Sequence, residues 1–171
     1  MVKEKKYKQL GAYGLVINNN KILLIKKNGG PYDGKLDLPG GTIEFGETPS
    51  DALKRELQEE VGILVKEYEL FDANSAFFNW QYEDSVINVH HIGIFYSILK
   101  YDGKIKSNVE ITDQNDDSLG ANFYQIDSIK KKDLSKIAII ELEKLGYSIK
   151  WFYIYASYSF WVSPWHEVPQ K

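Results

Sequence analysis

Twenty-three residues from Gly41 to Ile63, GTIEFGETPSDALKRELQEEVGI, constrain this chain more than any other stretch. Thr48 followed by Pro49, with Asp51 at the third helical position, reads as a helix start. The threonine caps, the proline has a fixed φ that suits a first turn, and the aspartate sits at the positive end of the helix dipole. Residues Ala52 to Val61 are good helix formers and Gly62 is a natural stop. At roughly 100° per residue, Leu53, Leu57 and Val61 make one narrow apolar stripe, and Glu56, Glu59 and Glu60 fall in the neighbouring sector. Glu60 borders the stripe and is expected to be the least exposed of the three.

Like charges at these spacings cost an isolated helix a few tenths of a kcal/mol per pair, and Lys54 and Arg55 are too few to neutralise them. A ligand is therefore expected on this face. Clustered carboxylates with no cysteine in the chain and no histidine in the segment are hard oxygen donors, suited to Mg²⁺ or Mn²⁺ rather than Zn²⁺. Magnesium keeps waters and substrate phosphates in its shell, which implies a polyphosphate substrate. The preceding Leu38-Pro39-Gly40-Gly41 is a tight turn where backbone can approach an ion or a phosphate.

Apolar runs at Ala12–Ile17 and Lys21–Ile25 flank Asn18-Asn19-Asn20 as a hairpin, and residues 28–34 form a loop before a short strand at Leu36–Leu38. Extended segments are expected at Leu64–Asp72, Ala73–Asn79, Val86–Leu99 and Asn122–Ile126, followed by a helical period from Leu134 to Leu145. Strands with one helix in the middle and another near the end suit an α/β/α sandwich around a mixed sheet. At 171 residues, 43% hydrophobic and 26% charged, the chain is expected to form one globular domain, residues 1–146. A net charge of −3 argues against a nucleic-acid surface. No apolar run is long enough to span a membrane, no secretory signal is recognisable, and a cytoplasmic protein is expected.

The segment resembles the Nudix box, G-x5-E-x7-R-E-U-x-E-E-x-G-U with U aliphatic. Gly41, Glu47, Arg55, Glu56, Leu57, Glu59, Glu60, Gly62 and Ile63 meet every fixed position. The flanking strand pattern is also similar to that family's over about residues 8–145, which implies the α/β Nudix fold. In such hydrolases the residues matching Glu56, Glu59 and Glu60, with the backbone carbonyl matching Gly40, hold the divalent metal. Arg55 is similar to the arginine that orients a box glutamate, with Glu47 as its partner. Metal-activated water then attacks a diphosphate phosphorus, with Glu56 or Glu59 as the candidate base. The family commonly adds an acidic ligand from a later loop. Glu110, Asp113, Asp116 and Asp117 lie in the matching region, and Asp117 is the candidate.

Specificity is expected outside the box. Tyr32, Phe45, Phe77, Trp80 and Tyr82 are candidates to stack on a base. His90 and His91 are adjacent in a strand, so only one can face the site. Residues 147–171 depart from the family pattern and carry three of the four tryptophans. They are expected to pack as an added strand or hairpin, or at a homodimer contact. The resemblance implies a nucleotide-type small-molecule substrate: a nucleoside triphosphate, oxidised ones included, or alternatively ADP-ribose or a nucleotide sugar. A non-catalytic nucleotide sensor is the alternative of another class. An isoprenoid diphosphate isomerase is disfavoured by the missing cysteine.

Overall fold

The computed structural model describes residues 5–107, 118–147 and 149. Asp117, with Glu110, Asp113 and Asp116, lies outside the described residues, as does most of the aromatic extension. Of that extension, Tyr147 and Ile149 are described, and both pack against the core.

The strands divide into two sheets. In the first, β1 (Lys5–Leu15) runs parallel to β7 (Ser85–Gly103). On its other edge β1 pairs antiparallel with β5 (Gly40–Thr42), and β7 pairs antiparallel with β6 (Ile63–Tyr82). In the second, β3 (Lys21–Lys27) pairs along its length with β8 (Ser118–Gln125). β3 also meets β2 (Ile17–Asn18) at its start and β4 (Leu36–Asp37) at its end. The expected hairpin turn is present, with Asn19 and Asn20 both at positive φ, the pair of left-handed conformations that a tight two-residue hairpin requires. Extended segments expected on either side of Asp72 form one continuous strand. Its register shifts near Val65–Tyr68 and Leu70–Asp72, and such bulges bend a strand without ending it.

Alternation along the strands builds two cores. On β3, Ile22 and Leu24 face one core while Leu23 and Ile25 face the other, and all four are fully buried. A strand covered on both faces reads as a continuous apolar run. Helix α2 (Lys136–Lys144) closes one side through Ile137, Ala138 and Leu142. Helix α1 (Pro49–Glu56) closes the other through Ala52, Leu53 and, just past its end, Leu57 and Val61. Burying each of these large apolar side chains stabilises the fold by about 1.5–3 kcal/mol.

Thr48 and Asp51 form a reciprocal capping box at the start of α1. The helix does not continue regularly to Gly62. Residues Leu57–Val61 make one turn of π-helix, which ends on Gly62 at φ +79°. A wider turn adds a residue to the helical circuit, and it is found mostly at functional sites. Here it carries Glu59 and Glu60.

Candidate functional site

Arg55 leaves the last turn of α1 and holds the segment together. Its Nε and Nη2 donate to the two carboxylate oxygens of Glu47 at 2.7 and 2.9 Å. Its Nη1 donates to Glu56 Oε1 at 2.8 Å and to Glu59 Oε2 at 3.4 Å. Nη2 also donates to the carbonyl of Thr42 at 3.0 Å, which ties the helix to β5. The fork matches a carboxylate in a way that a lysine ammonium cannot. Its hydrogen bonds hold the Glu47 carboxyl down to about 2, and Glu47 in turn holds the guanidinium above its ordinary range.

The two glycines before the helix leave room for this arrangement. A Cβ on Gly41 would lie 2.5 Å from Glu56 Oε1. Gly40 sits at φ +135°, where a side chain would run into the Ala12 carbonyl. Its amide donates to Glu60 Oε2 at 3.0 Å, and Lys27 Nζ lies 3.7 Å from the other oxygen of Glu60. Glu60 is the least exposed of the three box-helix glutamates at 9%, against 15% for Glu56 and 62% for Glu59.

The donor set is all oxygen, and it suits a hard divalent cation. Around Arg55 and Lys27, the carboxylates Glu47, Glu56, Glu59 and Glu60 exceed the two cations by two charges. Yet among the described residues no three acidic or histidine side chains close into a ready metal cluster. Glu56 and Glu59 face Arg55, whereas Glu60 faces Lys27 and Gly40. Binding an ion here requires side-chain rotation at one or more of these positions.

A cleft of about 410 Å³ opens beside the acidic cluster, bounded by Gly40 and Gly41, by Arg55, Glu56 and Glu59, and by Tyr13 and Tyr32. Its tyrosine wall rests on a buried histidine. Tyr13 OH lies 2.6 Å from His91 Nε2, and Tyr32 OH 3.2 Å from His91 Nδ1. Burial, and then the charge of Lys27, pushes His91 down to about 4. The imidazole is therefore neutral near pH 7, with one nitrogen donating and the other accepting. Burial raises both tyrosine hydroxyls above their ordinary range, with Asp37 adding to the effect, so they stay protonated.

Of the residues singled out in the sequence, Gly40, Arg55, Glu56, Glu59 and Tyr32 line this cleft, and Glu47 and Glu60 are bonded to its lining through Arg55 and the Gly40 amide. Phe45, Phe77 and Trp80 do not line it. Phe45 is fully exposed in the loop before α1. Phe77 stacks on His90, with ring centroids 4.0 Å apart, and strand alternation turns His90 away from the face that His91 occupies. Trp80 packs on Tyr82 near the β6–β7 turn. Tyr13 and Gln9 on the cleft wall were not legible beforehand. Their placement follows from the parallel register that sets Gln9 opposite His91, and the i, i+2 alternation of β1 was the one available signal. Among the described residues no helix is long and apolar enough to cross a membrane.

Comparison with known proteins identifies the fold and the family. The chain is 32% identical over 118 residues to an ADP-ribose pyrophosphatase of Methanocaldococcus jannaschii, covering 69% of this chain and 62% of that protein. It is 46% identical over 63 residues to an 8-oxo-dGTP diphosphatase of Escherichia coli, covering 36% of this chain and 49% of the relative. The chain thus spans about half to three fifths of these two relatives. In fold it is similar to the crystal structure of a MutT NUDIX hydrolase from Burkholderia pseudomallei, with a TM-score of 0.66 and 23% identity. That match covers 81% of this chain and 98% of the other. A family model described as the NUDIX domain matches residues 8–142, and the chain belongs to that family.

Proposed function

We propose that this protein is a Mg²⁺-dependent pyrophosphohydrolase that cleaves a nucleoside diphosphate linked to another moiety. The observation that carries the reading is the hub at Arg55, which gathers Glu47, Glu56 and Glu59 beside a cleft that two glycines keep open. Membership of the NUDIX family, generally dependent on divalent metals, supports it.

In this reading Glu56, Glu59, Glu60 and the Gly40 backbone hold Mg²⁺, with Mn²⁺ as a substitute and Asp117 as a further candidate ligand. The ion, when bound, lowers the pKa of a water and offsets charge on the leaving phosphate. Glu47 keeps the Arg55 guanidinium in place, and Arg55 fixes the orientation of Glu56 and Glu59. Glu59, the most exposed of the three, is the better placed to take a proton from water entering the cleft. Water oxygen bonds to phosphorus, the bridging P–O bond breaks, and the proton passes to the carboxylate. Tyr32 and Tyr13 line the same cleft as the carboxylates and, held by His91, position the substrate.

Nucleoside triphosphates, including oxidised ones, are the first substrate class, supported by relatives named 8-oxo-dGTP diphosphatase. ADP-ribose is the second, favoured because the relative named ADP-ribose pyrophosphatase aligns over 118 residues. A sensor without turnover has no chemical need for all of these carboxylates. The reading assigns the protein to the cytoplasm, acting on small nucleotides without nucleic-acid or membrane partners. A panel of nucleoside triphosphates, ADP-ribose, nucleotide sugars and dinucleoside polyphosphates with Mg²⁺, followed by phosphorus NMR, tests it. Cleavage of at least one diphosphate linkage is expected, and nucleotide binding without cleavage of any member contradicts it.

A further inference from the structure

A second cleft, of about 460 Å³, adjoins the first and shares Pro31 and Tyr32 with it. Its floor is apolar, built from Phe78, Leu134 and Ile139 with the Tyr32 ring, which lies 5.1 Å from Phe78 centroid to centroid. Its charged lining is lysine alone: Lys35, Lys131, Lys132 and Lys136, with no carboxylate among the lining residues. In a chain of net charge −3 such a one-sign lining is a local departure from the surface around it.

Two of these cations are already engaged. Lys35 Nζ donates to the Lys132 carbonyl at 2.6 Å, and Lys131 pairs with Glu143. Lys132 and Lys136 are exposed and form no ion pair among the described residues. Lys136 also opens α2, whose first turn has no acidic residue. Positive charge at that end of a helix is unfavourable. An anion in the cleft would offset that cost.

We propose that this second cleft receives the part of the substrate beyond the scissile diphosphate and selects substrates in which that part carries a further phosphate group. The inference rests on the reading that the first cleft holds a diphosphate. Pro31 and Tyr32, common to both walls, set the two clefts side by side. A ring lies on the apolar floor, and its phosphate meets Lys132 and Lys136 at the rim. Ammonium groups donate and never accept, which matches a group that is all acceptor.

Matched ligands differing by one phosphate monoester test this: ADP-ribose against ADP-ribose 2′-phosphate, and dephospho-coenzyme A against coenzyme A. Affinities are measured by calorimetry in EDTA, where metal-dependent turnover is absent. In at least one pair the phosphorylated ligand is expected to bind about tenfold more tightly, the worth of one charge-assisted hydrogen bond. That ratio is expected to fall close to one in the double variant Lys132→Gln/Lys136→Gln. Equal affinities within both pairs, or a preference that survives the double substitution, overturns the proposal. Hydrolysis of the same ligands with Mg²⁺ is followed separately. If the lysine-dependent preference is present and none of the four ligands nor any nucleoside triphosphate is cleaved, the hydrolase reading fails while the cleft assignment stands.

Discussion

Arg55 grips both carboxylate oxygens of Glu47, at 2.7 and 2.9 Å, and spends its remaining donors on Glu56, Glu59 and the Thr42 carbonyl. One side chain thus sets the position of two candidate metal ligands and ties them to the glycine turn. Arg55→Lys keeps the charge and loses the fork. A kcat lower by about 100-fold is expected, the usual scale for misplacing a reacting group by about 1 Å. In the same variant the Glu47 carboxyl is expected to rise from about 2 toward the ordinary glutamate value, as read by NMR titration.

Gly41→Ala adds one methyl against the Glu56 carboxylate, whose nearer oxygen lies 2.5 Å from the new Cβ. Because Gly41 is not at positive φ, the backbone tolerates alanine and the collision is what the variant reports. Mg²⁺ affinity weaker by about 10-fold or more is expected, with little change in thermal midpoint. Calorimetric titration of Mg²⁺ into the protein measures it.

His91 and Glu141 pull stability in opposite directions with pH. The folded pKa of His91 is pushed down from 6.5 to about 4, so between these values the unfolded chain binds more protons. Its contribution is present above 6.5 and lost as pH falls to 4, a change of about 3 kcal/mol. Glu141 is fully buried on α2, where only the Lys144 charge and the Asn74 side chain favour its ionised form. Burial, and then the nearby Asp72, raises it from 4.5 to about 7. Its contribution is complete below 4.5 and lost as pH rises through 7. Urea unfolding from pH 4 to 8 is expected to show the destabilisation by His91→Gln growing with pH. Glu141→Gln is expected to be stabilising at pH 8 and close to neutral at pH 4.

Much of the box was legible in advance because its cues are local. The Thr48–Asp51 cap, the Leu53–Leu57–Val61 stripe and the Gly62 stop depend on neighbours within one or two turns, and each stands where expected. What depends on distant pairing was not legible. β5 is only Gly40–Thr42, with no strand-forming residue before Thr42, and it is extended because β1 pairs with it. The π turn at Leu57–Val61 leaves no mark in composition. The cleft wall of Gln9 and Tyr13, with His91 buried behind it, exists only in the register of β1 against β7. Phe45, an aromatic next to the box, is held by its loop in solvent, outside the cleft lining, a direction that no local cue in the sequence sets.

Glu59 and Glu60 are the residues on which the proposed metal-dependent cleavage of a diphosphate depends. Phosphorus NMR of nucleoside triphosphates and ADP-ribose with Mg²⁺, run on the wild type, Glu59→Gln and Glu60→Gln, tests it most directly. Cleavage by the wild type, abolished by EDTA and lost in both variants with their folded spectra intact, is the expected result. Full activity in either variant, or cleavage indifferent to EDTA, would contradict it.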